Sequence, residues 1–362
     1  MSARAKDSTL RTATLAAACA AFVLRAFFFG AGAAARAQQR AESYPPARVA
    51  EVVAKVSSAA LSDDAFAQAL ALGYALFNEG RFAESAELFG ALAVRRPRDP
   101  SALYGAALAT FNAGRAAEAE PLARRAVESA RAAAVESART ADALVLLAVV
   151  LAVRGDDAGA LKSAREAVAL APESFDAQFT LGRALYGAGD VAAASRAFRS
   201  AVALKPNDAQ ARFFLATSLE ESGDDDGALA AYRELATREP RAPEGHLGLG
   251  VLLEKRGGAG AEEGLKQLSR AIEINPDLYE ARVALGRALV ARGRAAEAIE
   301  HLRRAAELAP GNPEPHYQLS LAYRRLGRKA ESEAESETVR RIHESRRSNG
   351  SPQDKPPAAT GP

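Results

Sequence analysis

Apolar side chains along residues 175–208, FDAQFTLGRALYGAGDVAAASRAFRSAVALKPND, recur at intervals of three and four. Phe179, Leu181, Gly182 and Leu185 fall on one face of a first helix, and Ala194, Phe198, Ala201 and Val202 on one face of a second. Gly189 with Asp190 interrupts the pattern between the two, and Pro206 stops the second helix. The small residues Gly182, Ala194 and Ala201 are expected to meet where the helices come closest. Strand-like alternation of β-branched residues is missing, so the pattern predicts an all-α chain.

This unit returns along the chain. Glycines at 80, 114, 155, 189, 223, 257, 293 and 327 mark the breaks, spaced by 34, 41, 34, 34, 34, 36 and 34 residues. Prolines 97, 172, 206, 240 and 310 each follow a break glycine by seventeen residues, and Pro276 follows by nineteen. The stretch LGRAL stands at 181–185 and again at 285–289, three periods later. A period of 34 with an L-G…A…F…P pattern resembles the tetratricopeptide repeat. In that frame the repeats are 66–99, 100–133, 141–174, 175–208, 209–242, 243–278, 279–312 and 313–346. The resemblance implies a right-handed superhelical solenoid of antiparallel helix pairs over residues 63–347.

Departures from the period predict local changes. Seven extra residues follow the repeat at 100–133, which lacks a stop proline, and seven residues are close to two helical turns. A continuous helix from about 118 to about 138 is therefore expected. The insertion in GAG at 258–260 should enlarge a loop. At the front, Val49, Val52, Val53 and Val56 would share one side of an additional helix over 46–61, after a linker at 38–44. At the back, KAESEAESETVRRIHESRR has a narrow stripe of Ala330, Ala334, Val339 and Ile342, as a polar capping helix would. Residues 348–362 hold no core-forming side chains and are expected to be a disordered tail.

Composition agrees with close helix packing: 48% of residues are apolar, many of them Ala, with 6% aromatic and no Trp. The net charge of +2 comes from the N-terminus, because residues 1–37 hold five of the 47 basic and one of the 45 acidic side chains, leaving 42 against 44. No basic patch is left to neutralise a run of phosphates, and no nucleic-acid partner is expected. Arg4, Lys6 and Arg11 precede the uncharged TATLAAACAAFVL at 12–24, and ARAQQ at 35–39 offers Ala35 and Ala37 to a signal peptidase. Residues 1–37 are thus expected to be a signal peptide, with the protein periplasmic or extracellular. An uncleaved inner-membrane anchor is the alternative, although Arg25 splits the apolar stretch into pieces shorter than the ~20 residues of a span. Acylation at Cys19 is disfavoured, since Leu15 lies one residue too far from it.

Catalytic constellations do not emerge. His246, His301, His316 and His343 show no paired metal-binding spacing, and His301 is read as a surface histidine. Asp224, Asp225 and Asp226 directly follow Gly223, where acids stabilise the start of a helix, so capping is preferred over calcium binding. No enzyme activity, metal or cofactor is expected.

What remains is surface. The resemblance implies that the second, fifth, ninth and twelfth places of each repeat face a groove. Those places give Tyr74, Phe77, Tyr104, Phe111, Phe179, Arg183, Tyr186, Phe213 and Arg287 as candidate partner-binding residues, with Glu220, Glu254, Tyr317 and Arg324 also facing it. The front of the groove is aromatic and the back carries mixed charge. Each aromatic either faces a partner or packs against the next first helix. Leu70 and Tyr74 stand where chaperone-binding members of the family carry Lys and Asn, so a clamp for a terminal carboxylate is not expected. The expected function is a non-catalytic scaffold for a protein or peptide. A membrane-tethered assembly factor acting through its ends and outer surface is the alternative, and membrane contact requires an uncleaved N-terminus.

Overall fold

The computed structural model describes residues 46–58, 61–133 and 136–349. The expected signal peptide, its cleavage site at Ala35 and Ala37, the linker and residues 350–362 of the tail lie outside the described residues. The chain divides at Pro172–Glu173 into two units.

The first unit holds α1 (Pro46–Ser58), α2 (Asp63–Asn78), α3 (Phe82–Arg95), α4 (Pro100–Asn112), α5 (Ala116–Ala132), α6 (Ser137–Val153) and α7 (Asp157–Leu170). The second holds α8 (Phe175–Gly187), α9 (Val191–Leu204), α10 (Ala209–Glu221), α11 (Asp225–Arg238) and α12 (Pro243–Arg256). A 3-10 turn at Gly258–Gly260 follows, then α13 (Ala261–Ile274), α14 (Tyr279–Ala291), α15 (Ala295–Leu308), α16 (Pro313–Arg325) and α17 (Lys329–Asn349). Among the described residues there is no strand. From α2 onward even-numbered helices are the first helices of repeats and odd-numbered ones the second. Within each unit every second helix packs on the first helix of the next repeat. Neighbouring first helices also touch within each unit, as α2 with α4 and α12 with α14.

The turn at Gly189 explains the period. Its φ is 80°, a region where a Cβ collides with backbone. Gly189 N–H donates to Tyr186 O and Asp190 N–H to Leu185 O, both at 3.0 Å, which caps the last carbonyls of α8. The other seven break glycines share the sign of φ, from 68° to 85°.

Two chemistries start the following helix. Asp156, Asp190 and Asp224 accept the backbone N–H three residues on, at 2.9, 3.0 and 2.9 Å. At α3, α5, α15 and α17 an arginine stands in that place and pairs with a glutamate three residues later, as Arg81 with Glu84 and Arg294 with Glu297, whereas α13 follows Gly260 without a side-chain cap. Asp224 is thus a cap, while Asp225 and Asp226 pair with Lys255 and Arg256 of the next repeat.

The helix layers meet through rings seated over glycines. A Cβ on Gly182 would lie 2.6 Å from the Phe198 ring. That ring, rather than Ala194 or Ala201, is what requires a small residue at 182. In the first unit Phe89 sits between Gly73 and Gly105, and a Cβ on either would approach it to 2.6 Å.

The seven extra residues do not make one long helix. α5 ends at Ala132 and α6 begins at Ser137. α5 has 17 residues where most second helices have 14, and α6 has 17 where most first helices have 13, so each gains about one turn. Thr140 and Ala141 are buried on α6, and burying them requires the chain to reverse before it reaches them. The insertion at 258–260 does enlarge its loop, as the short 3-10 turn.

At the front, α1 buries Val49 and Val56 and packs mainly on α3, with Arg95 donating to Val56 O at 2.7 Å. Val52 and Val53 are half-buried. At the back, the stripe on α17 is shifted from the expected one. Ala330 and Ala334 are exposed, while Ser332 is buried and Val339 and Ile342 are half-buried. Ser332 fills the small-residue place of the frame and donates to Ser320 O at 2.9 Å, which rotates the alanines outward.

Candidate partner-binding surface

On the first helices of each unit the fifth, ninth and twelfth places form a strip, and the chemistry of the two strips differs. In the first unit α2 presents Leu70, Tyr74 and Phe77, and α4 presents Tyr104, Leu108 and Phe111. α6 adds Val145, Val149 and Ala152, next to Val153, which is 60% exposed. The six side chains on α2 and α4 are all half-buried: rooted in the core, with surface remaining. Tyr74 meets Phe89 edge-on at 4.9 Å and Phe77 tilts against Phe82 at 5.1 Å. These contacts hold the rings in place before a partner arrives. Burial, reinforced by Asp99, pushes the Tyr74 phenol above its ordinary value, so it stays a neutral donor.

In the second unit the same places carry charge. Arg183 is half-buried on α8. Arg287 on α14 and Arg324 on α16 are exposed, and Tyr317 on α16 is 51% exposed. Tyr186 is half-buried, meets Phe214 edge-on at 6.4 Å and donates its hydroxyl to Glu221. Phe213 is half-buried, 5.9 Å from Phe214 and 6.5 Å from Tyr232. Phe179 leaves the candidate surface. It is 3% exposed, enclosed by Phe175, Phe198 and Phe214 at 5.6 to 5.7 Å, and serves as core.

The two acids of this strip already have internal partners. Tyr232 Oη donates to Glu220 Oε2 at 3.1 Å and lies 3.2 Å from Thr217 Oγ1. Burial pushes the Glu220 carboxyl up and the Tyr232 phenol up. Glu254 pairs with Arg292 at 2.5 Å, both mostly buried. Sequence reasoning missed Tyr232, Glu221 and Arg292, because these pairs join residues 12, 35 and 38 positions apart.

Three of the four histidines are tied into the packing, and His343 is exposed on α17. His246 is buried, with Nδ1 2.7 Å from Gln267 Oε1, and His316 pairs with Glu335 at 2.6 Å. His301 is half-buried rather than a surface residue; desolvation, with Arg282 nearby, lowers its pKa. Among the described residues no three His, Cys, Asp or Glu gather as metal ligands. None of the described helices is long and apolar enough to cross a membrane.

Comparison with protein families bears directly on the repeat. A tetratricopeptide repeat model matches residues 70–134, 123–175, 179–243 and 226–279, and a TPR repeat model matches 286–327. Together they span more than half the chain. The chain belongs to the tetratricopeptide repeat family. Among solved structures, the C-terminal part of a TPR repeat-containing protein from Cytophaga hutchinsonii is similar at 14% identity and a TM-score of 0.54, over 69% of this chain and 99% of that one. The APC/C hetero-tetramer Cut9–Hcn1 matches at 14% identity and a TM-score of 0.54, over 76% and 52%. YrrB, a TPR protein with an unusual peptide-binding site, is 24% identical with a TM-score of 0.46, over 54% and 96%. At these identities the likeness is one of fold. No curated protein sequence matches the chain. The tetratricopeptide fold accounts for the break glycines, the proline stops and the ring-over-glycine seats together.

Proposed function

We propose that this tetratricopeptide repeat protein is a non-catalytic scaffold that holds a polypeptide partner on its layer of first helices. The observation that carries the reading is the row Tyr74, Phe77, Tyr104 and Phe111, half-buried on α2 and α4, with Tyr74 set against Phe89 and Phe77 against Phe82. Rigid rings bury large area at a small cost in side-chain entropy, which is what a binding surface needs. The second unit offers its own candidate contacts in Arg183, Tyr186, Phe213 and Arg287, which can engage a partner through charge and hydrogen bonding. Export to the periplasm or cell exterior belongs to the same proposal and rests on residues 1–37. Retention of that segment would instead give a membrane-tethered assembly factor. Mass spectrometry of the protein from cells separates the two: a mature chain beginning near Gln38 supports export, and an intact N-terminus supports the tether.

The surface itself is tested by affinity capture from envelope extract. The double variant Tyr104→Ala with Phe111→Ala is expected to lose the partner that the unaltered chain retains. Full retention by a variant with unchanged helical circular dichroism would reject the assignment.

A further inference from the structure

We infer that the strip on α2, α4 and α6 takes an amphipathic α-helix presenting an uncharged apolar stripe. This deepens the function proposed above and rests on it. At the fifth, ninth and twelfth places three first helices of the first unit carry Leu70, Tyr74, Phe77, Tyr104, Leu108 and Phe111, continued by valines on α6, without one charged side chain, while Asp99, Arg139 and Asp142 stand at the margin. The equivalent places of the second unit hold Arg183, Glu220, Glu254, Arg287 and Arg324. A charge centred on the partner's buried face would lose its hydration over these nine places and meet counter-charge only at the margin, so complementarity selects an uncharged central stripe.

The same chemistry decides the partner's backbone. An extended segment would bring bare N–H and C=O groups onto the strip, and the tyrosine hydroxyls of Tyr74 and Tyr104 are the only polar atoms at these nine places. Each backbone group removed from water without a partner costs about 1–3 kcal/mol. A helix satisfies its own backbone and offers only side chains. The dimensions agree. Three adjacent first helices at ~10 Å between axes span on the order of 20 Å. A helix of about 14 residues at 1.5 Å rise covers that length.

The test uses the full chain and two fluorescein-labelled 14-residue peptides of one composition. In the first, leucines at positions 2, 5, 6, 9 and 12 form one helical stripe among glutamine and lysine. In the second, the same residues are permuted so that no stripe forms. Anisotropy titration is expected to show the striped peptide binding at least about tenfold tighter than the permuted one. Phe77→Glu and Phe111→Glu should each weaken it at least about tenfold, Arg124→Glu, exposed on the second helix α5, should leave it unchanged, and raised salt should have little effect. Circular dichroism confirms that each variant keeps its helix content. Equal binding of the two peptides, or sensitivity to Arg124→Glu and not to Phe77→Glu or Phe111→Glu, overturns the inference. If the striped peptide fails while capture of the cellular partner still depends on Tyr104 and Phe111, the helical class falls and the surface stands. If capture is also indifferent to those residues, both fall.

Discussion

Gly187 and Gly189 lie two residues apart, yet the same substitution is expected to act in opposite directions. Gly187 ends α8 in an ordinary helical conformation with open space where a Cβ would go, so Gly187→Ala should stabilise by about 0.5–1 kcal/mol. Gly189 has a φ of 80°, and Gly189→Ala should destabilise by about 1–2 kcal/mol. Urea unfolding midpoints of the two variants should move to opposite sides of the parent. Glu220 provides a second residue-level test. Burial raises its carboxyl pKa in the folded chain, so the folded state holds its proton to higher pH than the unfolded state does. Its contribution to stability therefore falls as pH rises from the ordinary carboxylate range through that raised value. Glu220→Gln should remove this fall, so its stability relative to the parent should rise across that window. A relative stability flat with pH would show that Glu220 is not buried as described. Exposed pairs such as Arg294 with Glu297 bias the slope the other way, but they cancel in the comparison because both proteins carry them.

At the scale of the element, every second helix except α13 is started in one of two ways, and the two should differ in strength. Asp190 caps a backbone amide directly, and Asp190→Ala should cost about 1 kcal/mol. Arg294 and Glu297 form an exposed pair, whose loss in Arg294→Ala should cost less and should fade further in high salt. Thermal unfolding at two ionic strengths separates the cases. The helices were largely legible in the sequence because a positive φ demands glycine and a stop favours proline, and both leave marks at fixed spacing. The break between Ala132 and Ser137 left no such mark, because no glycine or proline announces it, and burial of Thr140 and Ala141 dictates where α6 begins. The repeat frame placed Phe179 on the groove side as it placed Phe213. It does not report that Phe175 and Phe214 close over one ring and leave the other half-buried.

At the scale of the molecule, the family and the layered helix pairs were evident from the period, whereas the chemistry of the surface was only partly so. The acids at 220 and 254 look like groove charges in a list of positions, and the structure gives them to Tyr232 and Arg292. The first unit keeps its aromatic strip and the second keeps Arg287, Tyr317 and Arg324 exposed. The end of the second unit is its most polar part, since Ser320, Ser332 and Ser336 bond to one another between α16 and α17. Few apolar contacts oppose opening there, and hydrogen exchange should find α17 faster than α14. Comparable protection in both helices would mean that the serine contacts hold as firmly as the leucines around α14. The most direct test of the central claim is photo-crosslinking in living cells, with a photoreactive phenylalanine in place of Tyr104 on α4 or Arg124 on α5. The account predicts a discrete polypeptide adduct from position 104 and none from position 124, which is exposed on a second helix. An adduct from 124 with none from 104 would contradict it.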